Sequence, residues 1–167
     1  MRLFFAIWPP VIAARALSEW AQAAQLATGG RRTPEGNIHL TLAFLGKADA
    51  ERAIRAGKRV RGKAHQLPIE EARYVRANRM VWVAPRETPP ALSALHESLA
   101  MELYREEFIL ERRPFAAHVT LIRDAQRAEL PPLPVAQWPV EEFVLVRSRV
   151  SARGATYEPL ERFTLQP

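Results

Sequence analysis

A faint internal repeat constrains the fold of this chain more than any other feature of its sequence. In each copy a helical segment leads into a loop with paired arginines and a proline, and then into a short strand that reads His-x-Thr-Leu. The loops lie at 31–34 and 112–114, and the strand motifs lie at 39–42 and 118–121. Repetition of one supersecondary unit predicts two similar lobes packed about an approximate two-fold axis.

Helical and strand patterns alternate along the 167 residues, which is typical of an α/β or α+β fold in a single domain, 1–167. Apolar periodicity and end signals predict helices at 11–26, 49–61 and 89–104, the second weakened by Gly57. Short apolar or alternating runs predict strands at 3–8, 37–45, 69–75, 80–83, 117–122, 143–149 and 157–165.

The composition excludes some chemistries and favours one class of partner. There are no cysteines, so disulfides, thiolate catalysis and cysteine zinc sites are excluded. The formal net charge is +6 and only three basic residues are lysines, so arginine dominates. Arginine binds phosphate through a planar, bidentate fork, which favours a phosphorylated or nucleic-acid partner, although genomic base composition explains the charge equally well.

Targeting and membrane signals are absent from the sequence. The apolar N-terminal run ends at Pro9 and is too short for a signal peptide. No stretch approaches the roughly 20 apolar residues of a membrane span. We therefore expect a cytoplasmic protein with no membrane contact, and no obligate protein partner is evident.

The two His-x-Thr-Leu motifs carry the chemistry that the sequence predicts. Side chains of a strand alternate between its faces, so His39 shares a face with Thr41, and His118 shares one with Thr120. If the lobes are related by two-fold symmetry, both faces meet in one cleft. One neutral imidazole can then take a proton from water while the other, protonated, gives one to a leaving oxygen. The hydroxyls can hold the non-bridging oxygens of a phosphodiester, and a ribose 2′-hydroxyl or its cyclic phosphate is the natural substrate.

Other kinds of site are disfavoured. The sequence has no G-x-S-x-G elbow, no phosphate-binding G-x-x-x-x-G-K-[ST] loop and no H-E-x-x-H helix. Neither motif strand carries a carboxylate on its His-Thr face, so we expect no metal and no other cofactor. The remaining histidines, His65 in a predicted loop and His96 in a predicted helix, are assigned no role.

The paired motifs and their surroundings resemble the two-histidine phosphoesterases, and within them the RNA 2′,3′-cyclic phosphodiesterase branch, also called LigT-like or 2′-5′ RNA ligase. The similarity covers the opening strand at 2–7, the segments 37–46 and 113–121, and the tail from 143 to 163. It implies an α+β, bilobal fold in which antiparallel sheets, related by a pseudo-two-fold axis and flanked by helices, surround a central cleft.

The resemblance also implies an activity and residue roles. The activity is opening an RNA 2′,3′-cyclic phosphate to a 2′-phosphate, with His39 as proton donor and His118 as proton acceptor. Thr41 and Thr120 match the phosphate-binding positions, and Arg123 matches a substrate-binding arginine. Strict alternation places Arg123 on the face opposite His118, unless the strand ends or bulges first.

Three alternatives stay open. The same site could run the reverse reaction and make a 2′-5′ RNA linkage, because catalysis lowers the barrier in both directions. The substrate could be a small cyclic nucleotide. The chain could also be a non-catalytic RNA-binding module, which the arginines would serve equally well.

Overall fold

Three α-helices and ten β-strands alternate along the chain in the computed structural model, which describes all of residues 1–167. The helices are α1 (Val11–Thr28), α2 (Ala50–Arg59) and α3 (Pro90–Arg105). The strands are β1 (Arg2–Ile7), β2 (Arg31–Arg32), β3 (Leu40–Lys47), β4 (His65–Ile69), β5 (Glu71–Val75), β6 (Met80–Ala84), β7 (Val119–Arg123), β8 (Ala136–Val140), β9 (Glu142–Ser151) and β10 (Gly154–Thr164). All three predicted helices are confirmed, with ends that shift by one or two residues.

The strands form two four-stranded antiparallel sheets and one small pair. The first sheet has the order β10-β9-β1-β3, the second has the order β2-β7-β6-β5, and β4 pairs with β8. Helix α1 packs on β7 and β8, whereas α2 packs on β9, β10 and α3. One continuous hydrophobic core joins the sheets, with Leu3 and Phe5 from the first and Val81 and Val119 from the second. The predicted α+β class is confirmed. None of the helices combines the length and apolar character needed to cross a membrane.

A β-bulge interrupts the first His-x-Thr-Leu motif at its leucine. In β3, Thr41 lies opposite Ala6 and Ala43 lies opposite Phe5, so Leu42 between them has no partner of its own on β1. An extra residue in one strand reverses the face on which every later side chain lies.

The second motif has a bulge at the equivalent leucine. In β7, Thr120 lies opposite Trp82 and Ile122 lies opposite Val81, which leaves Leu121 as the extra residue. Leu121 and Ile122 are consecutive, yet both lie in the core. The two motifs thus share their register irregularity as well as their sequence, which is what a structural repeat requires.

The predicted strand at 69–75 is confirmed from Glu71 to Val75, and only its start is wrong. Glu70 separates β4 from β5, and the two strands belong to different sheets. Both members of the β4–β8 pair contain a proline, Pro68 and Pro139, and neither β4 nor β8 was predicted as a strand of its own. Proline lacks the amide hydrogen of a central strand, but in a two-stranded sheet every strand is an edge and tolerates it.

Candidate active site

His39 lies immediately before β3 rather than inside it, and its ring is anchored on both nitrogens. Nδ1 donates to the carbonyl oxygen of Asn37 at 2.7 Å, and Nε2 lies 3.1 Å from the hydroxyl of Thr41. Because a carbonyl can only accept, Nδ1 carries a hydrogen, and Nε2 is the nitrogen left for a substrate. The Asn37 amide in turn donates to the carbonyl of Ala155 in β10, which ties this turn to the far strand of the first sheet. Leu40 is buried on the opposite face, as predicted.

Three aromatic rings surround His39. Trp8 stacks on it with ring centroids 4.8 Å apart and an 18° interplanar angle, Phe4 lies at 5.2 Å, and Tyr157 meets it edge-on at 5.3 Å. Trp8 is itself fixed, because its Nε1 donates to the carbonyl oxygen of Gly36 at 2.9 Å. This face of the first sheet is therefore apolar and aromatic around a single imidazole.

The surroundings of His39 lower the pKa of its imidazole below the ordinary value. Burial is the largest cause, since a charged ring loses hydration there, and the positive charges of Arg123 and His118 act in the same direction. The hydrogen bond to the Asn37 carbonyl opposes them. The strands that follow the two histidines, β3 and β7, are in contact, so the fold brings the two motifs to the same region of the molecule.

His118 also lies one residue before its strand, with the same type of local hydrogen bond. Its Nδ1 donates to the carbonyl oxygen of Ala116 at 2.8 Å, which again leaves Nε2 for a substrate. Val119 is buried on the opposite face, and Thr120 is only partly buried, as the alternation predicted. Trp82 stacks on the His118 ring with centroids 3.9 Å apart and a 20° interplanar angle.

Arg123 lies on the same face as His118, because the bulge at Leu121 reverses the alternation before it. Its side chain is exposed, and its charge reaches His39. The turn after it is held by Asp124, whose carboxylate lies 2.8 Å from the guanidinium of Arg31 in β2. Simple alternation placed Arg123 on the face opposite His118, and the bulge at Leu121 explains why it lies on the same face.

Phe44 occupies the equivalent position of the first motif, five residues after His39 as Arg123 is after His118. The bulge at Leu42 turns its ring onto the aromatic face, where it lies 5.9 Å from Phe4, and it is 66% exposed. Sequence reasoning missed this residue. The signal that could have found it is the repeat itself, read five residues beyond each histidine.

The other two histidines lie outside this arrangement. His65 begins β4 opposite Val140, and its Nδ1 donates to the carbonyl of Lys63. His96 on α3 stacks against Phe115, with centroids 4.1 Å apart. His39, His65 and His118 all donate to the carbonyl two residues before them, so this hydrogen bond does not by itself mark a site. The feature that distinguishes the site is the pairing of His39 with His118.

Comparison with known proteins agrees with this geometry. The LigT like Phosphoesterase family model matches residues 7–82, a span that includes the first motif. An RNA 2′,3′-cyclic phosphodiesterase of Escherichia coli (strain K12) is 37% identical, with 98% of this chain and 96% of that protein covered. A protein of the same name from Thermus thermophilus is 33% identical over 99% of this chain and 91% of its own length.

Solved structures match over the whole fold. The crystal structure of Escherichia coli LigT complexed with 3′-AMP has a TM-score of 0.91 and 33% sequence identity, covering 99% of this chain and 98% of that one. With relatives above 30% identity along nearly the full length, the chain belongs to the family of LigT-like phosphoesterases.

Proposed function

We propose that the chain hydrolyses RNA 2′,3′-cyclic phosphate ends to 2′-phosphomonoesters, with His39 and His118 as a metal-independent acid–base pair. The observation that carries the proposal is the meeting of the two His-Thr motifs through β3 and β7, with Nδ1 of each histidine bonded to a carbonyl and Nε2 of His39 beside the hydroxyl of Thr41. The relatives named RNA 2′,3′-cyclic phosphodiesterase support the choice of substrate. The continuous core supports action of residues 1–167 as one unit.

The unequal surroundings of the histidines support the assignment of their roles. The aromatic rings near His39 offer an apolar surface for the nucleoside, so the ribose oxygen that leaves phosphorus lies beside His39. The hydrogen bond of His118 lies in more exposed surroundings than that of His39, so the attacking water reaches phosphorus from the side of His118. Water attacks phosphorus as its proton passes to Nε2 of His118, the bond from phosphorus to O3′ breaks, and O3′ takes the proton from Nε2 of His39.

The remaining groups of the site hold the phosphate. The hydroxyls of Thr41 and Thr120 donate to the non-bridging oxygens, and the guanidinium of Arg123 balances the charge that gathers on them. Burial makes a protonated His39 a stronger acid, because the buried imidazole gives up its proton more readily. The anionic substrate favours that protonated form, because the negative charge of the phosphate stabilises the positive charge of the His39 imidazolium.

Basic side chains lie next to Arg123 and can contact the phosphates of the RNA beyond its terminal nucleotide. Arg31 and Arg79 share Asp124 next to Arg123, and both are largely exposed. We expect the catalytic efficiency to rise when nucleotides are added on the 5′ side of the cyclic phosphate, which separates an RNA enzyme from one for small cyclic nucleotides. The reverse reaction would form a 2′-5′ linkage at the same site. A cytoplasmic location suits such a substrate.

The test is incubation of the purified protein, in the presence of a chelator, with a short RNA that ends in a 2′,3′-cyclic phosphate. We expect a 2′-phosphate product from the wild type and losses of at least about 100-fold in His39→Ala and His118→Ala, the range typical of a general acid or base. His65→Ala is the matched control, because it removes a histidine with the same local hydrogen bond from outside the site.

Two results would contradict the proposal. Turnover that the chelator abolishes would mean that a metal takes part. RNA binding without any product, unchanged in both active-site variants, would favour the non-catalytic binding module.

A further inference from the structure

We propose that Trp82 is a positioning residue for His118: its indole fixes the plane of the imidazole and stabilises the imidazolium that forms when His118 takes the proton of water. The inference rests on the proposed function and adds to it a residue that belongs to neither motif.

The stacking geometry is the first observation. Trp82 lies directly opposite Thr120 in the β6–β7 ladder, and its ring lies 3.9 Å from that of His118 at an angle of 20°. One edge of the imidazole is held by the Ala116 carbonyl, and the indole covers one of its faces. The ring therefore has little freedom to turn, and Nε2 keeps one direction. A cation over the face of an indole is also attracted by the electrons of the ring.

The repeat provides the second observation, because it shows what the fold alone requires at this register position. The residue opposite Thr41 in the first sheet is Ala6, the equivalent of Trp82 in the second. His39 is stacked instead by Trp8, two residues further along the chain and just after the end of β1. The architecture accepts a small residue opposite the threonine, so packing of the repeat does not account for the indole of Trp82.

The hydrogen bonding of the indole is the third observation. Nε1 of Trp82 is buried and has no hydrogen-bond partner, whereas Nε1 of Trp8 donates to the carbonyl oxygen of Gly36. A buried donor without a partner costs stability, and an aliphatic residue such as leucine would avoid that cost. The aromatic face, on which His118 stacks, is the feature that leucine would lack.

Steady-state kinetics on the cyclic-phosphate RNA test the inference. We expect Trp82→Leu to lower kcat by about 10-fold or more with KM changed by less than about 3-fold, since misplacement of a general base affects the chemical step. Trp82→Phe, which keeps an aromatic face, should recover most of the lost kcat. In the His118→Ala background Trp82→Leu should have almost no further effect, because the residue acts through His118.

Val83→Ala is the matched control for a loosened strand. Val83 is the next residue of β6, is fully buried, and points away from His118 into the core. Below its melting temperature this variant should keep the wild-type kcat. The inference is overturned if Trp82→Leu keeps the wild-type kcat or if Trp82→Phe recovers none of the lost kcat. It is also overturned if Val83→Ala lowers kcat as much as Trp82→Leu does, or if Trp82→Leu lowers kcat equally in the His118→Ala background. A wild type that turns over the RNA separates these results from failure of the proposed function, whereas an inactive wild type removes both.

Discussion

Replacement of Gly57 by alanine tests the packing of α2 against the first sheet, because helix propensity and tertiary contact predict opposite signs. In an isolated helix this change stabilises by about 1 kcal/mol. In the folded protein a Cβ at position 57 would lie 2.5 Å from Cζ and 2.7 Å from Cε1 of Phe163. The Phe163 ring cannot retreat freely, since it stacks on Phe143 at 4.8 Å and lies 6.0 Å from Phe5.

Overpacking of this kind costs about 1–3 kcal/mol, and contact with three atoms of a confined ring places Gly57→Ala near the upper end. After the gain in helix propensity, the net loss is about 2 kcal/mol. For a chain of this size that lowers Tm by about 4–8 °C. Thermal unfolding followed by circular dichroism measures the change, and activity at 25 °C should be retained.

A double-mutant cycle decides whether the Phe163 ring is the cause. In a Phe163→Leu background the flexible leucine can give way, so adding Gly57→Ala should become neutral or stabilising. If Gly57→Ala alone has a Tm equal to or above that of the wild type, the reasoning from the Phe163 contact is refuted.

Three further predictions concern the site. Arg123→Gln should lower kcat/KM by about 10- to 100-fold, because one charge-assisted hydrogen bond to the phosphate is lost. Arg123→Lys should recover only part of this loss. Equal kcat/KM values for the wild type and both variants would place the guanidinium away from the phosphate. Thr33 donates to the carbonyl of Thr120 at 2.9 Å beside the bulge, so Thr33→Val should cost about 1 kcal/mol in urea unfolding, and an unchanged midpoint would contradict this. Because the pKa of His39 is lowered in the folded protein, the unfolded chain binds more protons than the folded protein just below pH about 6.5. The free energy of unfolding therefore decreases as the pH falls below about 6.5. Urea unfolding at pH 7.5 and 5.5 should therefore show a larger decline in the wild type than in His39→Gln, and equal declines would exclude the effect.

Local features of the chain determined the elements and the histidine faces. Helix ends follow from Gly29 after α1 and Pro89 before α3, and these signals act within a few residues. The alternation of a strand alone placed His39 with Thr41 and His118 with Thr120. The repeated motif then indicated that the two pairs meet, and the charge effect of His118 on His39 agrees.

Contacts between distant segments decided the rest of the site. The bulge at Leu121 is a property of the pairing of β7 with β6, and it alone moves Arg123 to the face of His118. Trp82 lies 36 residues before His118 in the sequence, and its stack on His118 exists only once β6 and β7 have paired.

Contacts between distant segments also explain why the sequence-based predictions for the proline-containing strands and for Gly57 were incomplete. Pro68 and Pro139 are poor strand residues in isolation, and pairing of two edge strands makes them acceptable. The sequence alone indicates that Gly57 weakens α2. In the structure, Phe163, about a hundred residues later, occupies the space that a side chain at position 57 would need. Periodicity and end signals act along a few neighbouring residues and can be read from the sequence, whereas register, bulges and close approaches depend on which distant segments pack together.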